Sequence, residues 1–323
     1  MESVRVGGHR YTDPDVLSLI KATGTLVDPR SAVVSQARQL LAKLKDFDSV
    51  PKEAFERLKI LASLAGIRIQ AMDTDMRRKE KRDAVLITTE SGRLVLYNPT
   101  RPMSRIVFSI AHEISHTFFP NSAKGTRFRT ICNSSSKEAN ELERLCDLGA
   151  AELLMPKDEF QAAAGSQYSL ATAPVFMDRF GSSFEATAFR LASAHPGLAV
   201  SGLLKYRLKV GEQRALAASA EQQRLFESGY NASAASFERK YRRQSLFMSE
   251  ACDDRFNVMW NKSFSRESIV YRAGRSSEVV SAIEPLPNRI HSQGRVEAVR
   301  APYQREDAHP EFGDVLFLWT GVA

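Results

Sequence analysis

Residues 108–119 read FSIAHEISHTFF and place His112 and His116 four positions apart, with Glu113 directly after the first histidine. An α-helix advances about 3.6 residues per turn, so side chains at i and i+4 project from the same face. Two imidazoles on one face can bind a single metal ion through nitrogens at about 2 Å from it. The spacing therefore predicts a helix on which His112 and His116 bind one Zn²⁺ ion per chain.

Glu113 has a different role in this pattern. It lies about 100° round the helix from His112, where a carboxylate can hold and deprotonate a water molecule without coordinating the ion itself. An apolar flank predicts that the helix is buried, which would give a metal site its rigidity. An amphipathic helix with a solvated polar stripe is the alternative, because HExxH also occurs by chance. The apolar flank consists of Ile106, Val107, Ile110, Ile114 and Phe118.

A third ligand is expected on the next predicted helix, at residues 137–155. Glu143 and Asp147 lie four apart on it, a spacing that suits one coordinating carboxylate and one acid bonded to the second nitrogen of a ligating histidine. An exposed ion pair is the alternative for Glu143. A His–His–Glu set leaves one coordination position open, as catalytic zinc sites do. The other acidic candidates on this helix are Glu138, Glu141 and Glu152.

Composition limits the class of protein. The chain has 323 residues, 43% of them hydrophobic and 26% charged, which predicts a globular protein with one large domain or two ordinary ones. The N-terminus has no signal-peptide pattern and no apolar run is long enough to cross a membrane, so a cytoplasmic protein without a membrane partner is expected. The cysteines are too few and too widely spaced for a disulfide framework. They are Cys132, Cys146 and Cys252.

Periodicity predicts an α+β chain. Helical patterns occur at 31–47 and 52–66, a short strand at 67–72, and a hairpin at 84–98. Residues 203–247 have a basic helical pattern, which we interpret as a linker. Short strand patterns follow from about residue 265, at ESIVYRA, SEVVSAIEPL, RVEAVRAPY and DVLFLW. Trp260 and Trp319 are expected in the core of this last part.

Three stretches resemble the ImmA/IrrE family of zinc metallopeptidases, within a region from about Pro51 to Arg207. Leu145, Cys146 and Gly149 depart from the family pattern, which usually has Glu, Ala and Phe at these positions. The resemblance implies His112, His116 and Glu143 as ligands and Glu113 as general base. The stretches are RIVFSIAHEISH (105–116), ELERLCDLGAAELLMP (141–156) and FGSSFEATAFRLA (180–192).

The resemblance also implies a fold and a biological role. The fold is a zincin-like helical metallopeptidase domain with a small antiparallel sheet at 1–205, its core starting near residue 51. A helical linker and a β-rich C-terminal domain at 206–323 would follow. The hairpin would supply a sheet edge for an extended peptide. Family members typically cleave a helix-turn-helix repressor encoded beside them and release a stress, mobile-element or phage-defence operon.

Two further segments have regulatory interpretations. Cys132, in the loop after the second histidine, could cap the zinc ion in a resting state, or be a small apolar side chain. The segment FERKYRRQSLF at 237–247 interleaves aromatic and basic residues, which is typical of single-stranded DNA surfaces, although a solvated helix face gives the same pattern. A small-molecule activator fits the C-terminal domain equally well. The basic residues are Arg239, Lys240, Arg242 and Arg243.

Three questions stay open in the sequence. An oxyanion donor is expected, and Tyr97, Arg105 or a residue of the C-terminal region could supply it. One rival function is a catalytically silent DNA-binding or protein-binding regulator on a peptidase fold. Another is a toxin–antitoxin or scaffold module that uses zinc only for folding. The complete set of catalytic residue types argues against the first rival, and the open coordination position argues against the second.

Overall fold

The chain divides into two compact units. The first comprises Met1–Ala163 and Val175–Ser183, and the second comprises Ala164–Pro174 and Phe184–Ala323. Residues 184–205, which are predicted to belong to the first domain, lie in the second unit. They form a helix of that unit and most of one strand of its sheet. The computed structural model describes residues 3–6, 9–24, 27–47, 49–79, 82–120, 137–225, 237–258, 262–288, 291–303, 309 and 311–321.

The first two helices of the first unit begin where the sequence supplies a capping group. The Asp13 carboxylate accepts from the backbone N–H groups of Asp15 and Val16, and Asp28 caps the next helix in the same way. Gly66 has φ 71° and follows the third helix, where the sequence predicts its end. The helices are α1 (Pro14–Thr23), α2 (Pro29–Ala42), α3 (Ala54–Leu64), α4 (Thr74–Lys79), α5 (Met103–Ser115), α6 (Lys137–Leu154), α7 (Lys157–Ala164) and α8 (Ala173–Phe180).

The sheet beside these helices has three strands in the order β3-β5-β4. The predicted hairpin is present, and its two strands pair antiparallel around a turn at Gly92, which has φ 114°. Strand β3 pairs with β5 in parallel, so the sheet is mixed and not antiparallel as predicted. A separate two-stranded hairpin begins the chain. The strands are β1 (Val4–Val6), β2 (His9–Tyr11), β3 (Ile67–Ala71), β4 (Ala84–Thr89) and β5 (Gly92–Tyr97).

Helices α5 and α6 pack closely against each other in the first unit. A Cβ atom on Gly149 would lie 2.7 Å from Ser115 Oγ and 3.0 Å from Ser115 Cβ, so only glycine fits this crossing. One apolar cluster joins α6 to the N-terminal hairpin and to α1 and α2. It contains Val6, Tyr11, Val16, Leu17, Leu19, Ile20, Ala32, Val33, Phe119, Leu142, Leu145 and Cys146.

The second unit is built on a five-stranded antiparallel sheet in the order β7-β6-β10-β9-β8. Trp319 is buried in its core, as predicted, whereas Trp260 lies outside the described residues. The strands are β6 (Ala199–Arg207), β7 (Lys240–Met248), β8 (Val280–Pro285), β9 (Gln293–Arg300) and β10 (Val315–Gly321), and the helices are α9 (Phe184–Ser193), α10 (Val210–Leu225) and α11 (Ile269–Ala273).

Two elements of the second unit differ from the sequence prediction. The predicted helix at 203–247 is wrong at both ends, where β6 and β7 lie, and holds only over α10. Strand β6 is buried along most of its length between two neighbours, so it lacks the alternation that marks a strand. The predicted strand at 267–273 is helix α11, which begins at Ser268, whose hydroxyl accepts from the Val270 N–H.

The fold class is α+β, with a helical first unit that carries a small sheet and a β-rich C-terminal sheet, in agreement with the sequence prediction. Among the helices that the structure describes, none has the length and apolar character needed to cross a lipid bilayer.

Candidate metal centre

The two histidines lie at the C-terminal end of helix α5 and just beyond it. The α-helix ends at Ser115, and His116 begins a single 3₁₀ turn that continues to Phe118. The backbone of His116 keeps helical dihedral angles, with φ −57° and ψ −27°. The two imidazole rings therefore lie side by side with their centroids 5.0 Å apart, and both side chains are buried.

The Glu143 carboxylate on α6 faces both imidazoles. Its Oε2 lies 3.3 Å from His112 Nε2, and its Oε1 lies 3.8 Å from His116 Nε2. Two ligand atoms at about 2 Å from one tetrahedral ion are about 3.3 Å apart, which is close to these distances. A carboxylate oxygen accepts hydrogen bonds, and so does an imidazole nitrogen that carries no proton, so a cation between them would interact with both. Glu143 therefore lies where its carboxylate could share a zinc ion with the Nε2 atoms of the two histidines.

The far nitrogens of the two imidazoles contact side chains of α6. Asp147 Oδ1 lies 2.8 Å from His112 Nδ1, and Cys146 Sγ lies 3.4 Å from His116 Nδ1. A carboxylate at Nδ1 keeps the proton on that nitrogen and leaves the Nε2 lone pair directed at Glu143. The structure thus brings together His112, His116, Glu143 and Asp147 as the sequence spacing requires.

A second set of donor atoms overlaps the first. The buried side chains of His112, His116 and Cys146 offer ligand atoms that all lie within 4.8 Å of one another, so this cluster could also hold a metal ion. The two sets differ in geometry, because Glu143 reaches Nε2 of both rings whereas Cys146 is hydrogen-bonded at Nδ1 of one. We favour the set with Glu143, since it leaves Asp147 and Cys146 as partners of the far nitrogens.

Glu113 is buried beside the two histidines, with 2% of its surface exposed. Its Oε2 accepts a hydrogen bond of 3.0 Å from the backbone N–H of Leu86. Leu86 belongs to β4, an outer strand of the three-stranded sheet, and its N–H is directed away from β5. The sheet edge therefore fixes one oxygen of the carboxylate that the sequence predicts as general base.

Two of the other acidic residues on α6 have structural partners elsewhere. Glu141 Oε2 accepts from the backbone N–H groups of Thr12, at 2.9 Å, and Asp13, at 3.2 Å. Glu152 Oε1 pairs with Arg38 Nε at 2.9 Å and is also within 3.4 Å of the Lys157 N–H. These two acids hold the N-terminal segment and α2 against α6. The side chain of Glu138, the remaining candidate, lies outside the described residues.

The two named candidates for an oxyanion donor, Arg105 and Tyr97, both have partners in the structure. Arg105 Nε forms an ion pair with Asp83, a residue that also pairs with Arg101 at 2.7 Å. The Tyr97 ring packs edge-on against Phe55 with centroids 5.5 Å apart. Arg105 is thus already paired with an anion. Cys132 lies outside the described residues.

The basic segment of the second unit lies on a strand and not on a solvated helix. Arg242 is 3% exposed on β7, and its burial lowers the pKa of the guanidinium. Arg243 Nη1 donates to Asn257 Oδ1, and Lys240 Nζ pairs with Glu238 at 3.0 Å. Arg239, just before the strand, is exposed. The four side chains therefore do not form one continuous exposed basic surface.

Cys146 is a site residue whose contact the sequence analysis missed. It is fully buried in the core of the first unit, and its sulfur also contacts a histidine of the candidate centre. A signal was present, because Cys146 follows Glu143 by three positions and precedes Asp147 by one. Residues three apart on a helix lie on neighbouring parts of one face.

Comparison with known proteins identifies relatives of the region that holds these side chains. Residues 62–192 match the Peptidase_M78 family, described as an IrrE N-terminal-like domain. A solved Mycobacterium tuberculosis transcriptional regulator is similar in fold, with a TM-score of 0.54 over 95% of this chain and 80% of that one, at 12% identity. No curated protein matches the sequence. Residues 62–192 thus match a metallopeptidase-like domain, and they include all the side chains of the candidate metal centre.

Proposed function

We propose that this chain is a zinc-dependent endopeptidase that cleaves a helix-turn-helix transcriptional repressor. The supporting observation is that Glu143 faces Nε2 of both His112 and His116 at 3.3 and 3.8 Å, while Glu113 is buried beside them. A structural zinc site would occupy all four positions with protein ligands, whereas this arrangement supplies three. The residue types and their placement fit peptide hydrolysis best.

Three side chains would hold the zinc ion, and α5 and α6 keep them in place. His112, His116 and Glu143 would be its ligands, and Asp147 would hold His112 in the required tautomer through the 2.8 Å contact. When bound, the ion supplies Lewis acidity toward a scissile carbonyl and toward a water molecule. The close crossing at Gly149 sets how near the two helices lie, and so how near Glu143 lies to the imidazoles.

Glu113 would move the proton. Its carboxylate accepts the proton of the water molecule that attacks the scissile carbonyl, and then passes that proton to the nitrogen of the leaving amine. The Leu86 N–H fixes Oε2, so the carboxylate has a defined orientation in the buried site. Because the same N–H belongs to an outer strand, substrate binding and proton transfer would share one structural element.

Strand β4 would bind the substrate in an extended conformation. It is one of the two outer strands of the sheet and lies next to α5. An extended peptide can add to such an edge through backbone hydrogen bonds, which gives affinity without demanding one sequence. A peptide placed along β4 would pass close to Glu113, since Leu86 already bonds that carboxylate.

The proposed substrate and its control follow from the family resemblance. Cleavage of a repressor encoded nearby would release a stress, mobile-element or phage-defence operon. The C-terminal unit would gate the activity, with single-stranded DNA or a small molecule as the activating ligand. The exposed Arg239 and the partly exposed Lys240 and Arg243 are the residues that would contact DNA, whereas Arg242 is buried.

The decisive experiment combines metal analysis with a cleavage assay. The full chain is expressed together with a repressor encoded beside its gene, as wild type, as Glu113→Gln and as the control Glu56→Gln. Glu56 is half-exposed on α3 and pairs with Lys59. We expect zinc in all three proteins, and cleavage about 10²–10⁴-fold slower in Glu113→Gln alone.

Two outcomes would contradict this function. Equal cleavage by wild type and Glu113→Gln would show that Glu113 is not the general base. Zinc binding without cleavage of any repressor by the wild type would favour the catalytically silent regulator. Mass spectrometry of the repressor fragments gives the cleavage site and excludes a contaminating protease.

A further inference from the structure

Cys146 lies where helix α6 meets the second histidine of the metal centre. Its side chain is fully buried in the apolar cluster that contains Leu142 and Leu145, and its Sγ lies 3.4 Å from His116 Nδ1. It follows Glu143 by three residues, so the same helix face presents one group to Nε2 and another to Nδ1 of the same ring.

The contact determines which tautomer of His116 can bind a metal ion. A neutral imidazole has one N–H and one lone pair, and the hydrogen bond at one nitrogen selects the role of the other. If the Cys146 thiol donated to Nδ1, the proton of the ring would be on Nε2, facing Glu143, and would exclude an ion. If Nδ1–H donates to Sγ, the Nε2 lone pair faces Glu143.

We propose that Cys146 is a positioning residue that accepts the Nδ1–H of His116 and so directs Nε2 toward the metal position. This inference rests on the zinc centre of the proposed function and adds to it the partner of the second histidine. The two ligating rings are then held differently, His112 by the carboxylate of Asp147 and His116 by a sulfur atom. Sulfur is a weak acceptor, and its burial with the ring excludes competing water.

The alternative is that Cys146 binds the ion directly, since its sulfur belongs to a cluster able to hold a metal. The placement argues against it, because Sγ lies beside Nδ1 of His116 whereas Glu143 reaches Nε2 of both rings. One ion bound at Nε2 of His116 would be on the opposite side of that ring from the sulfur. A positioning role needs no movement of either side chain.

The first test measures zinc affinity by competition with a chelator. Cys146→Ala removes the acceptor, and the control Leu145→Val removes one heavy atom from the same apolar cluster. We expect about 10–100-fold weaker binding for Cys146→Ala, as for other groups that orient a ligand. Cys146→Ser, whose hydroxyl can also accept, should recover part of the loss, and Leu145→Val should bind like wild type. Equal affinities for Cys146→Ala and Leu145→Val would overturn the proposal.

The second test reads the tautomer of His116 without any metal. In the metal-free full chain, ¹⁵N chemical shifts of the imidazole show which nitrogen carries the proton. We expect the Nδ1–H form in wild type and a mixture of tautomers in Cys146→Ala. A wild-type ring protonated at Nε2 would contradict the proposal. If the wild type bound no zinc, the proposed function would fail, while this measurement would still decide the role of Cys146.

The third test separates a positioning residue from a ligand. A thiolate bound to Co²⁺ gives a charge-transfer band in the near ultraviolet. The Co²⁺-loaded wild type should show no band that depends on Cys146. A band that is lost in Cys146→Ala and kept in Cys132→Ala would identify Cys146 as a direct ligand and overturn the proposal.

Discussion

The metal centre of the first unit differs from two buried polar groups of the second unit. In the second unit, Glu297 and Tyr241 bond to backbone or to a neighbouring loop. Glu297 accepts from Ser169 Oγ and from the Leu170 N–H, both at 2.7 Å, and Tyr241 Oη donates to the Gly313 carbonyl at 2.8 Å. In the first unit, buried His112, Glu113 and His116 come from one short stretch of α5 and lie beside acids of α6 and an N–H of β4.

The difference shows how a candidate metal site is distinguished from structural polar groups. A buried polar group that forms a hydrogen bond with the backbone has the partner it needs, and the bond stabilises the fold. When both rings carry their proton on Nδ1, the Nε2 atoms and the Glu143 carboxylate are all acceptors, and a cation would satisfy all three. In the described part of the second unit, no three such side chains lie close enough together to hold an ion.

The largest expected effect on zinc binding is at Glu143, the proposed third ligand. In Glu143→Gln a neutral amide replaces the anionic ligand. We expect its zinc affinity to fall by more than the roughly 10–100-fold caused by changes to residues that only contact a ligand. The control is Glu141→Gln, two residues earlier on α6, whose carboxylate bonds Thr12 and Asp13. Metal content after dialysis and chelator competition measure both. Retained zinc in Glu143→Gln would mean that another residue is the third ligand.

A smaller effect is expected at the partner of His112. Asp147→Asn should weaken zinc binding about 10–100-fold, since the amide no longer keeps the proton of His112 on Nδ1. Asp158→Asn is the matched control, because Asp158 is exposed and pairs only loosely with Arg38 at 3.4 Å. If both variants bound zinc equally, the 2.8 Å contact would have no part in orienting the ligand.

The crossing of α5 and α6 can be tested with a pair of glycines. Gly149→Ala should lower the free energy of unfolding by about 1–3 kcal/mol, since its Cβ would collide with buried Ser115. A Cβ atom on Gly211, in α10, would have no other atom within 4 Å. Gly211→Ala should therefore raise the free energy of unfolding by up to about 1 kcal/mol, because alanine favours the helix more than glycine does. Urea unfolding measures both. Stabilisation by Gly149→Ala would show that the helices can separate without cost.

The smallest effect concerns the second unit and alkaline pH. Burial raises the pKa of the Tyr241 phenol, so the folded chain favours the neutral form and its contribution to stability is complete below the unfolded pKa of about 10. As pH rises above about 10, this contribution should fall by up to about 1.4 kcal/mol per pH unit. Tyr241→Phe should cost about 0.5–1.5 kcal/mol near pH 8 and show a shallower alkaline decline. The same decline in both proteins would exclude Tyr241 as its source.

The first unit was the more predictable from sequence. The helical period placed α5 and α6, and Gly66 and Gly92 marked a helix end and a turn at the right positions. These signals are local, so they can be read without knowing the fold. The parallel pairing of β3 with β5 was not predicted, because it depends on a crossover between strands distant in sequence.

The second unit was less predictable because its elements depend on contacts between segments that are distant in sequence. Strand β6 is covered by β7 and β10, and its burial on most positions removes the alternation of a half-buried strand. Helix α11 is too short to establish a period, and only the cap at Ser268 marks its start. Within the metal centre, the spacing predicted which side chains could meet, whereas the thiol contact of Cys146 needed the position of His116 on another helix.

The tether between Glu141 and the segment around Thr12 has a practical consequence for dissecting the protein. The matched region, residues 62–192, begins inside α3 and ends inside α9. A fragment cut at those positions would lose the backbone donors of Glu141 and would expose Leu142 and Leu145 to water. Such a fragment is expected to aggregate when expressed, so a minimal piece that keeps the candidate metal centre must also keep the first forty or so residues, which lie before the matched region.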